Sequence, residues 1–191
     1  MPEPRPRIGS EDQAKAAFRV HEHALARLPP AREGDSGGWK WRRGGSRIAW
    51  HDPSSPVIYK IETANYGSNE TEHQNAQLLR EMGKSWAPGT SLYTLGDSPT
   101  TIVLAMPYYP VPVRSHAEIP RDALDLAPDM TLDNFRRTAE LPDGQVKVVD
   151  LGGSCPFCSG WLPEQGTGRQ ADRHVGPSEA ISADQSACRR A

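Results

Sequence analysis

The run Val146-Lys-Val-Val-Asp150-Leu-Gly-Gly153 constrains this chain more than any other segment. An apolar stretch of β type is closed by an acidic residue and two glycines follow, so a strand ends there with a carboxylate at its tip and a backbone able to turn sharply. A carboxylate in that position suits a metal ligand beside a phosphate. Sixteen residues upstream of Asp150 stands Asn134, which ends Asp129-Met-Thr-Leu-Asp-Asn134. Asp129 and Asn134 therefore lie five positions apart, ahead of the same strand.

This pair and the later Asp resemble the catalytic loop (D-x-x-x-x-N) and the metal-binding D-F-G segment of the protein-kinase-like superfamily, with Leu151 standing for the Phe. Further segments follow in the order a kinase needs. Val57-Ile-Tyr-Lys60-Ile reads as a strand with one outlying cation and is similar to V-A-I-K, which makes Lys60 the phosphate lysine by resemblance. In Asn69 to Met82, Glu72, Ala76, Leu79 and Met82 recur at helical spacing, and that helix resembles αC. Its glutamate would pair with Lys60. Glu72 shares the apolar face, whereas Glu70 is turned about 200° from it by the helical period, so Glu72 is preferred over Glu70. Thr100 to Tyr109 resembles the fifth strand and hinge, with Met106 at the position that limits the adenine pocket. A hinge uses one carbonyl and the N–H two residues later, and Pro107 and Tyr109 satisfy that pattern.

The resemblance covers residues 39 to 153 and implies an α+β fold: a protein-kinase-like N-lobe of five antiparallel strands and an αC helix, with a truncated C-lobe. The expected divisions are an N-terminal arm and amphipathic helix (1–30), the N-lobe and hinge (31–110), a reduced C-lobe with the catalytic and metal-binding loops (111–163) and a flexible tail (164–191). Ser10 is the expected N-cap of a helix from Glu11 to Leu28, with Phe18, Ala24, Leu25 and Leu28 on its apolar side and Pro29-Pro30 at its end. Ala31 to Gly38 reads as a polar link. Gly44-Gly45 reads as the two-residue turn of a hairpin between Trp39–Arg42 and Arg47–Trp50. Strands are expected at 57–62, 90–95 and 100–106.

Departures from the family pattern bear on function. A G-x-G-x-x-G loop is replaced by Gly44-Gly45 alone, and Ala127-Pro128 stands where His-Arg precedes the catalytic Asp. Only 22 positions separate Met106 from Asp129, too few for the long helices of a full lower lobe. A peptide-substrate platform is thus missing or supplied by a partner chain.

Composition narrows the classes. The 191 residues are 36% hydrophobic, enough for a core, and the formal charge of −2 comes with no basic stripe for nucleic acid. No run approaches a membrane span, and the start Met1-Pro-Glu-Pro-Arg-Pro-Arg7 lacks a signal-peptide core. Three cysteines do not make a disulfide framework. These features predict a cytoplasmic protein. Cys155-x-x-Cys158 with His174 and Cys188 offers four zinc-type ligands, but the irregular spacing favours free thiols or an incidental pair. The tryptophans Trp39, Trp41, Trp50 and Trp86 read as sheet and core anchors.

Each residue also has a plain reading: Lys60 as a strand-edge lysine, Asp129 and Asp133 as turn or cap residues, Asp150 as a strand end. The resemblance instead implies Mg²⁺-dependent transfer of the γ-phosphoryl group of ATP to a hydroxyl of a protein or small molecule. Lys60 would hold the α- and β-phosphates, Asp150 and Asn134 the Mg²⁺, and Asp129 the acceptor hydroxyl. The alternative is a pseudokinase-like binding module without catalysis.

Overall fold

The computed structural model describes residues 7–29, 31–64, 67–96, 101–126, 130–140 and 144–151. Asp129, the Gly-Gly after Leu151 and all the residues of the Cys/His set lie outside them.

Six antiparallel strands form the main sheet: β1 (Glu33–Ser36), β2 (Trp39–Arg43), β3 (Arg47–His51), β4 (Val57–Glu62), β5 (Ser91–Leu95) and β6 (Thr101–Pro107), ordered β1-β2-β3-β4-β6-β5. The expected five-stranded sheet thus gains an edge strand from the segment read as a polar link. The reason lies in the next two residues. Gly37 and Gly38 have φ of 57° and 81°, the left-handed conformations that a tight hairpin turn requires, and they pair Ser36 with Trp39. The second hairpin also differs in detail. Gly44 donates its N–H to the Arg47 carbonyl at 2.8 Å, which leaves Gly45 and Ser46 at the tip in place of Gly44-Gly45.

Strand alternation divides the sheet into two faces. Ile48, Trp50, Val57, Tyr59, Ile61, Val103 and Ala105 form one buried face together with Trp41, Tyr93 and Leu95. Helix α1 (Glu11–Leu25) covers it with Ala14, Ala17 and Ala24. Ser10 caps this helix through its hydroxyl, which accepts the Gln13 N–H. Two links fix α1 to the sheet: Tyr59 donates its hydroxyl to Gln13 Oε1 at 2.9 Å, and Trp50 donates its indole N–H to His21 Nδ1 at 3.1 Å. Of the expected apolar side, Ala24, Phe18 and Leu28 pack against this core, while Leu25, at the helix end, is exposed, and Ala14, Ala17 and His21 complete the contact. Small side chains let the helix axis approach the tryptophan-rich sheet closely.

The opposite face carries Arg47 and Ala49 on β3, paired across the ladder with Glu62 and Lys60 on β4. Helix α2 (Ser68–Glu81) packs there, and its buried residues are Asn69, Glu72, Asn75, Ala76 and Leu79. Met82, expected on that side, follows the helix end and is exposed. Gly67 begins the helix without a side-chain cap; the Glu62 carboxylate accepts the N–H groups of Gly67 and Asn69 at 3.1 and 2.7 Å instead.

Below α2 lies a smaller unit: β7 (Val111–Pro112), β8 (Phe135–Arg137) and β9 (Val146–Val148) in an antiparallel sheet of order β7-β8-β9, with the short helix α3 (Arg121–Leu126). Ala76 and Leu79 of α2 join Trp86, Val113, Ile119, Ala123, Phe135, Val148 and Leu151 in its core. Helix α2 thus belongs to two cores, and the ends of β4 and β9 meet beside it. No helix among the described residues is long and apolar enough to cross a membrane.

Candidate functional site

Lys60 sits in a strand whose neighbours Tyr59 and Ile61 enter the α1-side core, so strict alternation sends its side chain to the other face. There it meets Glu72 of α2. Lys60 Nζ donates to Glu72 Oε1 and Oε2 at 2.8 and 2.9 Å, and also to the carbonyl oxygen of Val149, at the end of β9. The expected choice of Glu72 over Glu70 agrees with this geometry. Glu72 has no exposed surface. A carboxylate so completely removed from water is stable only when its charge is met by close, well-aligned donors.

Lys60 alone does not meet it. Arg47, at the start of β3, donates from Nη1 to Glu72 Oε2 and to Asn69 Oδ1, and from Nη2 to Asp150 Oδ1. The four charged groups Arg47, Lys60, Glu72 and Asp150 make one cluster built from β3, β4, α2 and the residue pair after β9. Burial lowers the Lys60 pKa, the Arg47 charge adding to the effect and Glu72 opposing it. Burial also works against the Arg47 guanidinium, but Glu72 and Asp150 outweigh it and hold its pKa above the ordinary value.

Arg47, Lys60 and Asp150 form one wall of a cleft of ≈ 930 Å³, with Glu72 behind them. Met106, Pro107 and Tyr109 line the same cleft, with Ala49 and Ile58 beside them. Tyr108 donates its N–H to the Pro56 carbonyl at 2.7 Å, which holds the segment after β6 against the β3–β4 turn. Its ring stacks on His51 at a centroid distance of 3.8 Å. Burial raises the Tyr109 phenol to a pKa of about 12. Asn134 and Asp150 also line the cleft and are tied through the backbone, since Val149 N–H donates to the Asn134 carbonyl at 2.7 Å. Lys60, Met106, Pro107, Tyr109, Asn134 and Asp150 are thus brought together as the sequence predicts. Asp129 lies outside the described residues.

The donor set does not fit a divalent cation shared by Asp150 and Asn134. The Asp150 carboxylate is engaged by Arg47, and the Asn134 amide oxygen accepts the Thr131 N–H at 2.9 Å and the Thr131 hydroxyl at 3.1 Å, closing a capping box on its own turn. Among the described residues no three His, Cys, Asp or Glu side chains gather as a metal site.

Arg47 is the residue that sequence reasoning missed. Its signal is the alternation Arg47–Ala49–His51, which places it on the Lys60 face of β3, two pairs along the ladder from Ala49 and Lys60. The chain matches no protein-family model, no curated protein and no solved structure.

Proposed function

We propose that the cleft is a nucleotide site and that this chain is an ATP-dependent phosphotransferase of the protein-kinase type, passing the γ-phosphoryl group to a hydroxyl of a protein or small alcohol. The observation that carries this reading is the meeting of Lys60, Glu72 and the Val149–Asp150 end of β9 at the wall of a cleft that Met106 to Tyr109 also line. These segments are far apart in sequence, and the protein-kinase pattern needs them in one place.

The chemistry asks little covalent work of a protein. Negative charge spreads over the phosphoryl oxygens during transfer, so fixed cations in a partly dry cleft lower the barrier. Lys60 supplies one such cation, and Glu72 fixes its position without exposing a charge to solvent. Ala49, Ile58 and Met106 offer the apolar contacts that a base requires. By resemblance, Asp129 would receive the proton of the acceptor hydroxyl.

A second reading, a nucleotide-binding module without transfer, is favoured by one observation: Arg47 holds the carboxylate that the transfer chemistry assigns to a metal. Radiolabelled ATP, with and without Mg²⁺, a generic protein acceptor and a panel of alcohols separate the two. The phosphotransferase reading expects labelled product, including autophosphorylation, and a loss of about 100-fold or more in Lys60→Met. ATP binding without labelled product selects the binding module. Equal transfer by wild type and Lys60→Met rules out the assigned site.

A further inference from the structure

Arg47 holds the carboxylate to which the kinase pattern assigns a metal ion. Its guanidinium is almost fully buried, and its two ends have different partners. Nη1 is fixed to Glu72, which has no exposed surface, while Nη2 reaches Asp150, whose side chain is 47% exposed. Glu72 has nowhere else to go. Asp150, half solvated, exchanges partners more readily than the fully buried Glu72. A divalent cation placed at Asp150 would stand in contact range of a guanidinium whose charge the cluster actively preserves, and like charges at such a distance in a partly buried site repel strongly.

The rest of the wall carries both signs, with more Lys and Arg than Asp and Glu. Arg136 on β8 and Arg42 on β2 both line the cleft, from the lower unit and the main sheet respectively. Burial depresses the Arg136 pKa, and the Arg42 charge adds to the effect. Asp133, 3.9 Å from Arg42, offsets part of this repulsion, and a phosphate placed between the two guanidiniums would offset more.

We propose that the cleft holds the phosphates of a nucleotide on Arg47, beside the Lys60 charge, without a divalent metal ion, a phosphate oxygen displacing Asp150 from Nη2 of Arg47. The inference rests on the nucleotide-site reading and adds to it the identity of the charge-neutralising group. Nη1 stays on Glu72, and Nη2, once released from Asp150, turns its N–H groups to the phosphate, so one guanidinium serves both anions as a single ammonium does not. Asp150 then acts as an internal anion that keeps the fork in place until the ligand arrives.

Calorimetric titration of the full chain with ATP, in EDTA and in excess Mg²⁺, tests this. The expected result is binding in EDTA within about threefold of that in Mg²⁺. Asp150→Asn removes the competing charge, and metal-free ATP should bind it about tenfold tighter than wild type. Arg47→Lys keeps a cation beside Glu72 but loses the fork, and its metal-free affinity should fall about tenfold, with a thermal melt showing that it is folded. Binding that requires Mg²⁺ and is lost in Asp150→Asn overturns the inference and leaves the nucleotide site standing. Unchanged metal-free binding in a folded Arg47→Lys also overturns it. Absence of ATP binding in both buffers overturns the nucleotide-site reading itself.

Discussion

Asn75, buried on α2, donates its side-chain amide to the carbonyl of Leu151 at 3.1 Å, so the helix that carries Glu72 also fixes the residue after Asp150. Replacing Asn75 by Ala leaves a buried carbonyl without this donor and should cost about 1–3 kcal/mol in urea unfolding. A loss within about 0.5 kcal/mol, the range of ordinary surface substitutions, would show that the bond does not hold the two units together.

The cation cluster predicts an order of damage. Glu72→Ala leaves Lys60 and Arg47 buried together without their shared carboxylate and should destabilise by about 3–5 kcal/mol. Lys60→Met should cost clearly less, because Arg47 still faces Glu72 and the methionine occupies similar volume. Chemical denaturation of both variants checks this, and the reverse order would mean that Lys60, not Arg47, carries the compensation.

His21 makes stability depend on pH. Burial lowers its pKa from 6.5 to about 4, and the Trp50 indole donor requires Nδ1 to be unprotonated. With the folded pKa below the unfolded one, the unfolded chain binds the proton more readily. Stability from this group is complete above about pH 6.5 and is lost as pH falls toward 4. After discounting for partial solvation, the loss should be on the order of 1–2 kcal/mol by pH 5. A His21→Gln variant should show a flatter stability profile between pH 7 and 5; an unchanged slope would assign the acid sensitivity elsewhere.

The β1–β2 turn offers a test free of packing. A Cβ on Gly38 would meet nothing within 4 Å, so a substitution there is felt through its φ of +81° alone. Gly38→Ala should cost about 1–2 kcal/mol, and Gly38→Asn less, because Asn tolerates the left-handed region. Equal costs for the two variants would argue against this turn geometry.

Strands with a buried face were legible because their apolar residues alternate, and Lys60 stood out as the cation in such a strand. Glu72 was legible from the helical period. Edge strand β1 was not, since Glu33-Gly-Asp-Ser has no apolar face to bury, and the Gly37-Gly38 pair that creates it was read as part of a link. Arg47 escaped notice because an arginine beside a turn has the composition of a polar rim. Its burial depends on Glu72 and Asp150, which are 25 and 103 positions away, and no local pattern carries such information.

The start of α2 has a consequence for control. The Glu62 carboxylate holds two of its N–H groups, and the Asn69 side chain donates to the Lys60 and Ile102 carbonyls at 3.0 and 2.8 Å. The strand that carries Lys60, with its neighbour β6, therefore grips the start of the helix that carries Glu72. Swinging the helix outward would break these four bonds together, which at about 1 kcal/mol each makes the swung state rarer by about three powers of ten. Outward rotation of the helix is thus strongly disfavoured, and the freedom of the cluster lies on the β9 side, where Asp150 is half in water.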